Sequence, residues 1–320
     1  MKTTVIIPNY NGVHFLKDCF DSLLANVDTQ FQIIFVDNGS SDDSVEYVKQ
    51  HYPAVRIISR KENGGFSVAV NEGILQATTD YVLLLNNDTM VDKHFVYEMQ
   101  SSIENANCFS VSARMMSMKQ PQIVDNTGDL YSALGWAFSP GASKLESYAK
   151  TKRPIFSACA GAAIYQRKIL VELGLFDENH FAYLEDVDVG YRARIHGYYN
   201  QYEENAICYH FGSGFSGSKH NAFKVTLSAQ NSIYLIYKNM ALLQIVINAP
   251  FLVCGFVIKM IYFHKKGLLK AYLEGLRKGM KLCGTKSAKE KKIKFKTSFL
   301  KNYFWIQMEL WWNVLRRFIG

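Results

Sequence analysis

Polar side chains follow four apolar runs between residues 1 and 88, and their types are those that bind a nucleotide. They are Asn9, Tyr10 and Asn11 after VIIP, Asp37 after QIIFV, Asn63 with Gly64 and Gly65, and Asn86, Asn87 and Asp88 after VLLL. Ligands of open α/β sheets bind at the carboxyl ends of the strands, so these side chains should share one edge. Together they offer an aromatic face, a carboxylate, backbone donors and a metal-binding acid, and we expect a nucleotide site there.

Each position has a chemical reason. Tyr10 can stack on a base, and Asp37 can accept a hydrogen bond from the imide nitrogen of uracil or thymine. Gly64 and Gly65 let the backbone approach phosphate oxygens closely. Asp88 ends a buried strand and is a hard ligand for Mn²⁺ or Mg²⁺ bridging a diphosphate. Asn, Asp and Gly also form ordinary turns, so each motif alone has a purely structural explanation.

An alternation of strands and helices must position these motifs. β-branched runs alternate with amphipathic stretches in the first half of the chain, which predicts βαβ units and a mostly parallel sheet of the α/β class. The predicted strands are 3–8, 31–36, 55–58 and 81–85, and the predicted helices are 14–26, 42–51, 66–76, 167–174 and 185–196. Residues 110–160 are weakly periodic, and we interpret them as loops and short strands forming an acceptor-side wall.

Acidic residues crowd at the start of the helix predicted over 185–196. Glu185 and Asp186 are adjacent, and Asp188 lies four residues before Arg192. That spacing favours an ion pair within the helix, so we assign Asp188 mainly a structural role. Neighbouring carboxylates raise one another's pKa, which suits at least one of them to accept a proton near neutral pH.

The order of several motifs resembles glycosyltransferase family 2. The motifs are VIIPNYNG, VDNGSSD, ENGGFSVAVNEGI, LLLNNDT, the segment AGAAIYQRKILVELGLFDENHFAYLEDVDVGYRARIHGY, and YHFGSGFS, and they span roughly residues 3–240. The resemblance implies a GT-A fold with a Rossmann-like sheet, inversion at the anomeric carbon, a nucleotide diphosphate-sugar donor and a divalent cation, Mn²⁺ or Mg²⁺. The usual Asp-x-Asp motif stands here as Asn86-Asn87-Asp88, which is similar to the rhamnosyltransferase-like branch.

The resemblance also assigns roles to individual positions. It implies that Asp88 and His210 bind the metal and that Asp186 is the general base, with Glu185 as the near alternative. A satisfied polar residue at a strand end is the other interpretation of His210. Asp125 and Trp136 fall where acceptor or donor-sugar contacts are expected, although Trp136 suits core packing equally. The residues expected to contact the nucleotide are Pro8, Tyr10, Asn11, Asp37, Asn63, Gly64, Gly65 and Asn87.

The C-terminal segment differs in charge from the rest of the chain. The whole chain carries +8, but residues 259–320 hold 16 Lys and Arg against 3 Glu. The uncharged stretch 241–258 precedes them, and aromatic residues close the segment. We therefore divide the chain into a GT-A catalytic domain, 1–240, with nucleotide-binding and acceptor-binding halves at 1–110 and 111–240, and a helical region, 241–320. We expect this region to lie on an anionic membrane surface; core or oligomer packing and a single span are the alternatives, and nucleic acid is disfavoured.

These observations predict an enzyme that extends a surface glycan. The donor would be a dTDP- or UDP-sugar carrying rhamnose or a hexose, and the acceptor a glycan that is plausibly lipid-linked. The six scattered cysteines and a first strand that begins at the N-terminus favour a cytoplasmic protein, held peripherally on the inner face of the cell membrane. A non-catalytic nucleotide-sugar-binding scaffold is the alternative. A nucleotidyltransferase is disfavoured, because PNYNG stands where a basic triphosphate loop would be.

Overall fold

A computed structural model of the chain describes residues 1–212 and 221–319, so part of the YHFGSGFS motif lies outside the described residues. The described strands are β1 (Thr3–Asn9), β2 (Phe31–Asp37), β3 (Arg56–Ser59), β4 (Tyr81–Leu85), β5 (Thr89–Val91), β6 (Cys108–Ser117), β7 (Val124–Asn126), β8 (Leu130–Tyr131), β9 (Ala137–Phe138), β10 (Arg153–Ile155), β11 (Ala162–Gln166) and β12 (Tyr199–His210). The α-helices are α1 (Val13–Leu24), α2 (Ser44–His51), α3 (Phe66–Gln76), α4 (Phe95–Ile103), α5 (Arg167–Glu172), α6 (Glu185–Ile195), α7 (Ala222–Asn239), α8 (Leu242–Lys265), α9 (Leu269–Cys283), α10 (Lys286–Lys291) and α11 (Leu300–Ile319).

The first half of the chain forms the βαβ units that its sequence pattern predicts. β1 pairs in parallel with β2 and with β4, and β2 pairs in parallel with β3. Their β-branched residues are buried on both faces, one face packing under α1 and the other under α3. The predicted strands and helices of this half are confirmed to within two residues at most ends. The carboxyl ends of β1, β2 and β4 therefore meet at one edge.

The sheet continues beyond β4 through strands of mixed direction. The order is β10-β12-β6-β11-β4-β1-β2-β3, where β11 is antiparallel to both of its neighbours and β12 is parallel to β6. The interpretation of 110–160 as loops and short strands missed β6, a ten-residue buried strand. Its alternate positions are polar, yet they have partners: Ser110 Oγ donates to Asn200 Oδ1 at 2.8 Å.

Helices α7 to α11 pack against the sheet domain and do not form a separate body. One apolar cluster joins Tyr131 and Tyr191 of the sheet half to Leu252 of α8 and Leu310 of α11. The predicted domain boundary at 240/241 is the turn between α7 and α8, and this cluster crosses it. Among the described residues, α8 is the one helix long and apolar enough to cross a membrane by length and composition.

Candidate functional site

A cavity of about 680 Å³ opens at the carboxyl ends of β1 and β4 and reaches the start of α6. Eleven of the residues predicted from the sequence line it: Pro8, Tyr10, Asn11, Asn63, Gly65, Asn87, Asp88, Asp125, Glu185, Asp186 and His210. Asp37, Gly64 and Trp136 are not among the lining residues. The fold thus brings residues that are up to two hundred positions apart in the chain to one concave site.

A chain of buried amides and carboxylates fixes the nucleotide-side edge. Asn87 Nδ2 donates to Asn9 Oδ1 at 2.6 Å, and Asn9 Nδ2 donates to Asp37 Oδ1 at 3.0 Å. Ser40 continues the chain, because its hydroxyl and its amide donate to the two oxygens of Asp37 at 2.6 and 3.0 Å. Asn9 belongs to the polar motif after the first strand but was not among the residues expected to contact the nucleotide; it is only 2% exposed and holds β1 to the residues that follow β4.

Asp37 occupies a different position from the one its sequence context suggested. It is 2% exposed and supports the Ser40 turn, so it lies behind the cavity wall. Among the described residues, its Oδ2 accepts one hydrogen bond, from Ser40 N, and a carboxylate oxygen has capacity for two. Contact between Asp37 and a base stays a prediction that depends on this second lone pair.

The Gly64-Gly65 turn is built for packing within the protein. Gly64 N donates to Asn38 Oδ1 at 3.1 Å, and Gly65 N donates to Asn63 Oδ1 at 2.9 Å. Gly65 has a φ of 89°, and a Cβ there would stand 2.4 Å from the carbonyl oxygen of Phe181. Both amides therefore have side-chain partners in this structure, and a close approach of phosphate oxygens to Gly64 and Gly65 stays a prediction. The close approach that requires glycine is to the loop before α6.

Three ionisable side chains meet where β4, β7 and β12 end. His210 Nε2 lies 3.3 Å from Asp88 Oδ1, and His210 Nδ1 lies 2.7 Å from Asp125 Oδ2. Burial lowers the pKa of His210, but the hydrogen bonds that its ring donates to Asp125 and Asp88 outweigh burial and raise the pKa to about 10. The antiparallel pairing of β5 with β12, which sets Thr89 opposite His210, brings the two segments together.

This arrangement has the donor chemistry of a divalent metal site. Asp88 offers a hard carboxylate oxygen and His210 an imidazole nitrogen, and both face the cavity. The second ring nitrogen of a metal-binding histidine usually contacts a carboxylate, and Asp125 provides that carboxylate for His210. Asp125 contacts His210 and also lines the cavity, so its predicted contact with the acceptor or sugar stays untested. Metal binding by Asp88 and His210 stays a prediction that this geometry fits.

The opposite wall carries the carboxylates at the start of α6. Burial and the neighbouring Asp186 raise the pKa of Glu185 well above its usual value, and its Oε2 has no hydrogen-bond partner among the described residues. Burial also raises the pKa of Asp186, but Ala160 N and Val187 N donate to its oxygens at 3.3 and 2.8 Å and oppose that shift. The expected increase in pKa among these crowded acids is therefore confirmed in direction. Asp186, with two amide donors, is the better placed of the pair to carry the charge.

Asp129 is a third carboxylate that our sequence interpretation did not single out. It lines the cavity, and its oxygen, an oxygen of Asp186 and the sulfur of Cys159 all lie within 4.8 Å of one another. Burial and the charge of Asp186 raise the pKa of Asp129 to about 8. Asp129 follows Thr127 and Gly128 in a weakly periodic segment, so no sequence motif indicates a role for it. Its position beside α6 is a result of the fold.

A buried ionic network anchors α6 behind these carboxylates. Arg192 Nε donates to Asp188 Oδ2 at 2.9 Å, which confirms the predicted pair four residues apart. Lys238 of α7 bridges Asp188 and Asp177 at 2.9 and 2.6 Å. His180 lies in the same network, with Nε2 4.0 Å from Asp188 Oδ1, and its side chain is fully buried. The ammonium group of Lys238 fills the centre of this cluster, so its acids hold helices together.

Trp136 lies at the junction between the sheet domain and α8. Its Nε1 donates to the carbonyl of Gly255 at 3.2 Å, and Lys259 stands over its ring at 5.7 Å. The next residue, Ala137, lines the cavity. Of the two interpretations open for Trp136, the structure gives packing, and a contact with the acceptor stays untested.

Comparison with known proteins agrees with this architecture. The profile of Glycosyl transferase family 2 matches residues 4–174, more than half of the chain. An uncharacterized glycosyltransferase of Escherichia coli K12, YibD, is 36% identical over 115 residues, which are 33% of this chain and 33% of YibD. The poly-beta-1,6-N-acetyl-D-glucosamine synthase of Staphylococcus aureus COL is 27% identical over 213 residues, 64% of this chain and 49% of that protein. The chain thus spans half or less of the length of these relatives.

Two solved structures share the fold at low identity. A GalNAc-T7 crystal structure with UDP, GalNAc and Mn²⁺ is 15% identical with a TM-score of 0.60, covering 74% of this chain and 47% of that one. The mannosyltransferase PcManGT of Pyrobaculum calidifontis, in complex with GDP-Man and Mn²⁺, is 16% identical with a TM-score of 0.55, covering 98% and 87%. The expected GT-A fold is confirmed.

Proposed function

Because this chain belongs to glycosyl transferase family 2, we propose that it is an inverting glycosyltransferase acting on a nucleotide diphosphate-sugar and an acceptor hydroxyl. One observation carries the proposal. A single cavity has a metal-type pair, Asp88 and His210, on one wall and the carboxylates at the start of α6 on the other. A sugar donor held between them would have its diphosphate beside the first wall and its anomeric carbon facing the second.

Asp88 and His210 would hold the cation, which would neutralise the diphosphate as it leaves. The protein's own contribution is orientation: Asp125 fixes the imidazole ring of His210 by its contact at 2.7 Å. On the nucleotide side, Asn87 and Asn9 tie β4 to β1 at 2.6 Å and set the spacing between metal ligand and nucleotide wall. Pro8, Tyr10, Asn11 and Asn63 line that wall.

Asp186 would act as the general base. It would take the proton of the acceptor hydroxyl while that oxygen attacks the anomeric carbon from the face opposite the diphosphate, and this displacement inverts the configuration. The nucleotide diphosphate leaves with the bonding electron pair. Glu185 is buried beside it at 7% exposure, where burial and the neighbouring Asp186 raise its pKa well above the usual value.

The donor is proposed to be a dTDP- or UDP-sugar, plausibly with rhamnose or a hexose. The support is the remaining acceptor capacity of Asp37, which suits an imide N–H, and the aromatic ring of Tyr10 at the cavity. The Asn86-Asn87-Asp88 motif supports the rhamnosyltransferase-like branch by resemblance alone. A related GT-A structure contains UDP and Mn²⁺, which is consistent with this class of ligand.

We place the reaction in the synthesis of a cell-surface polysaccharide on a lipid-linked glycan acceptor. A matched relative is named for synthesis of poly-beta-1,6-N-acetyl-D-glucosamine, a polysaccharide. The proposed location is the cytoplasmic side of the cell membrane, where the protein is peripheral. The support within the chain is the basic and aromatic segment of residues 259–320.

Calorimetry with UDP, dTDP, GDP, CMP and ADP tests the proposal, first with Mn²⁺ and then with EDTA. We expect UDP or dTDP to bind and EDTA to weaken that binding. Transfer is then followed by release of the free nucleotide diphosphate in the presence of glycan acceptors. Nucleotide binding without any release across the donors would favour the non-catalytic scaffold, and absence of all nucleotide binding would refute both.

A further inference from the structure

Helices α8 and α11 contact each other through buried polar side chains, while many of their large apolar residues are exposed on the outer side. Asn248 and Gln307 exchange two amide hydrogen bonds of 2.8 Å, and Trp311 Nε1 donates to Asn248 at 3.0 Å. Gln244 is also buried, accepting from Tyr191 OH at 3.1 Å. Asn248 is 0% exposed and Gln244 4%. These contacts define the α8/α11 pair.

The outward faces of the α8/α11 pair carry large apolar side chains. Leu243 and Val253 of α8 are 68% and 63% exposed, and Trp305 and Trp312 of α11 are 59% and 54% exposed. Soluble monomers rarely expose a contiguous apolar patch of more than a few hundred Å². Two adjacent helices that both direct their apolar residues outward therefore indicate an apolar partner.

The charges around this face select the kind of partner. Residues 241–273 contain no Asp or Glu, and the single acid of α11, Glu309, pairs with Arg194 of α6. The two helices are parallel. Gln244, near the start of α8, contacts Tyr303, near the start of α11. Near the other ends, burial and the charge of Arg317 of α11 lower the pKa of Lys259 of α8. Their carboxyl ends thus gather Lys and Arg at one end of the face. Apolar and aromatic residues beside clustered cations are the composition of a surface that binds anionic lipid.

A bilayer surface fits better than the alternative occupants. A second copy of the chain would bring cationic helix ends to a face with no outward acid in α8, so like charges would approach. A spanning helix would have lipid on all sides, but α8 has one side on the sheet domain, where a Cβ on Gly255 would stand 2.2 Å from the carbonyl oxygen of Leu134. The pair must therefore lie along the membrane and not across it.

We propose that the α8/α11 pair inserts its outward face into the headgroup region of an anionic bilayer and sets the cavity against the membrane. The β8–β9 hairpin connects the α8/α11 pair with the cavity. Asp129, before the hairpin, and Ala137, within it, line the cavity. At its other end, Ala133 N donates to Leu310 O at 2.9 Å. The inference rests on the proposed function in one respect, because it explains how a lipid-linked acceptor reaches Asp186.

Vesicle flotation of the full chain tests the inference without any sugar chemistry. We expect binding to phosphatidylcholine vesicles that contain phosphatidylglycerol, and much weaker binding to phosphatidylcholine alone. The double variant Trp305→Ser, Trp312→Ser should bind at least about tenfold more weakly. Tyr97→Ser is the matched control, since Tyr97 is an exposed aromatic residue of α4, at 44%, outside the pair.

Brominated lipid adds a positional readout. Single-tryptophan variants that retain Trp305 or Trp312 should lose fluorescence in brominated vesicles, and one that retains Trp136 should not. The inference would be overturned if the unmodified chain did not float with the vesicles, or if the double variant bound as tightly as the unmodified chain. It would also be overturned if Trp136 were quenched as strongly as Trp305 and Trp312. Light scattering that shows a dimer broken by the tryptophan changes, with no vesicle binding, would assign the face to self-association. Nucleotide calorimetry on the same proteins keeps a failure of the proposed function separate.

Discussion

Acidification should weaken the fold through one buried histidine. His180 is fully buried beneath α6, facing Asp188, Lys238, Asp177 and Arg192, and its ring packs on Tyr234 at 5.2 Å. Burial, reinforced by Lys238 and Arg192, outweighs the two carboxylates and lowers the pKa of His180 to about 4. The unfolded chain has an ordinary histidine with a pKa of about 6.5.

The sign and size of the change in the free energy of unfolding follow from this difference between the folded and unfolded pKa of His180. Between about pH 6.5 and pH 4 the unfolded chain binds a proton that the folded chain does not, so the free energy of unfolding falls as the pH falls. The full loss is about 3 kcal/mol below pH 4, and roughly 2 kcal/mol of it is reached at pH 4.5. Asp177 and Asp188 act at lower pH, because their cationic partners hold their pKa values below the usual range despite burial.

Urea unfolding near neutral pH and near pH 4.5 measures the effect. We expect the unmodified chain and His51→Gln, a control at an exposed histidine of α2, to lose about 2 kcal/mol more than His180→Gln over this interval. Other titrating groups, including His210, are common to the three proteins and cancel in the comparison. An equal loss in all three proteins would refute the reasoning.

Three further changes test the site. Asp186→Asn should lower kcat about 10²- to 10⁴-fold while donor affinity measured by calorimetry stays the same, and a fully active variant would remove Asp186 as the base. Asp88→Asn should abolish the part of UDP binding that requires Mn²⁺ and leave binding in EDTA unchanged; a retained response to Mn²⁺ would place the metal elsewhere. Gly65→Ala should destabilise the fold by more than about 1 kcal/mol in thermal unfolding. Gly174→Ala is its matched control, because Gly174 has a similar φ of 87° with nothing within 4 Å of an added Cβ, and equal costs would show that the contact with Phe181 is unimportant.

The nucleotide-binding half was predictable because its signals are local. β1 and β2 are short apolar runs that end in Asn9 and Asp37, and Asn86 directly follows the apolar run of β4; parallel strands bring those ends together. The position of Asp88 beside the cavity followed from this rule. His210 was placed only by resemblance, and the structure puts it 3.3 Å from Asp88 through the pairing of β12 with β5.

The remaining features depend on partners far away in the chain. β6 has polar residues at alternate positions, so its sequence does not indicate a buried strand. Burial is possible because partners such as Asn200, which accepts a hydrogen bond from Ser110, lie far away in the sequence. Asp129 becomes notable only because α6 brings Asp186 close. The amides of Gly64 and Gly65 seemed suited to phosphate, but Asn38 and Asn63 bind them. Periodicity and spacing carry no information about such contacts.

The contact between the β8–β9 hairpin and α11 also constrains when the site can form during synthesis. Tyr131 O accepts from Asn313 Nδ2 at 2.9 Å, although 182 residues separate them. A ribosome adding about 5–20 residues per second needs roughly 9 to 36 s to make the intervening chain. During that time the hairpin beside Asp129 lacks its support, so a nascent chain should acquire the complete cavity wall only after α11 has emerged. Chains interrupted before α11 would then be unable to consume donor.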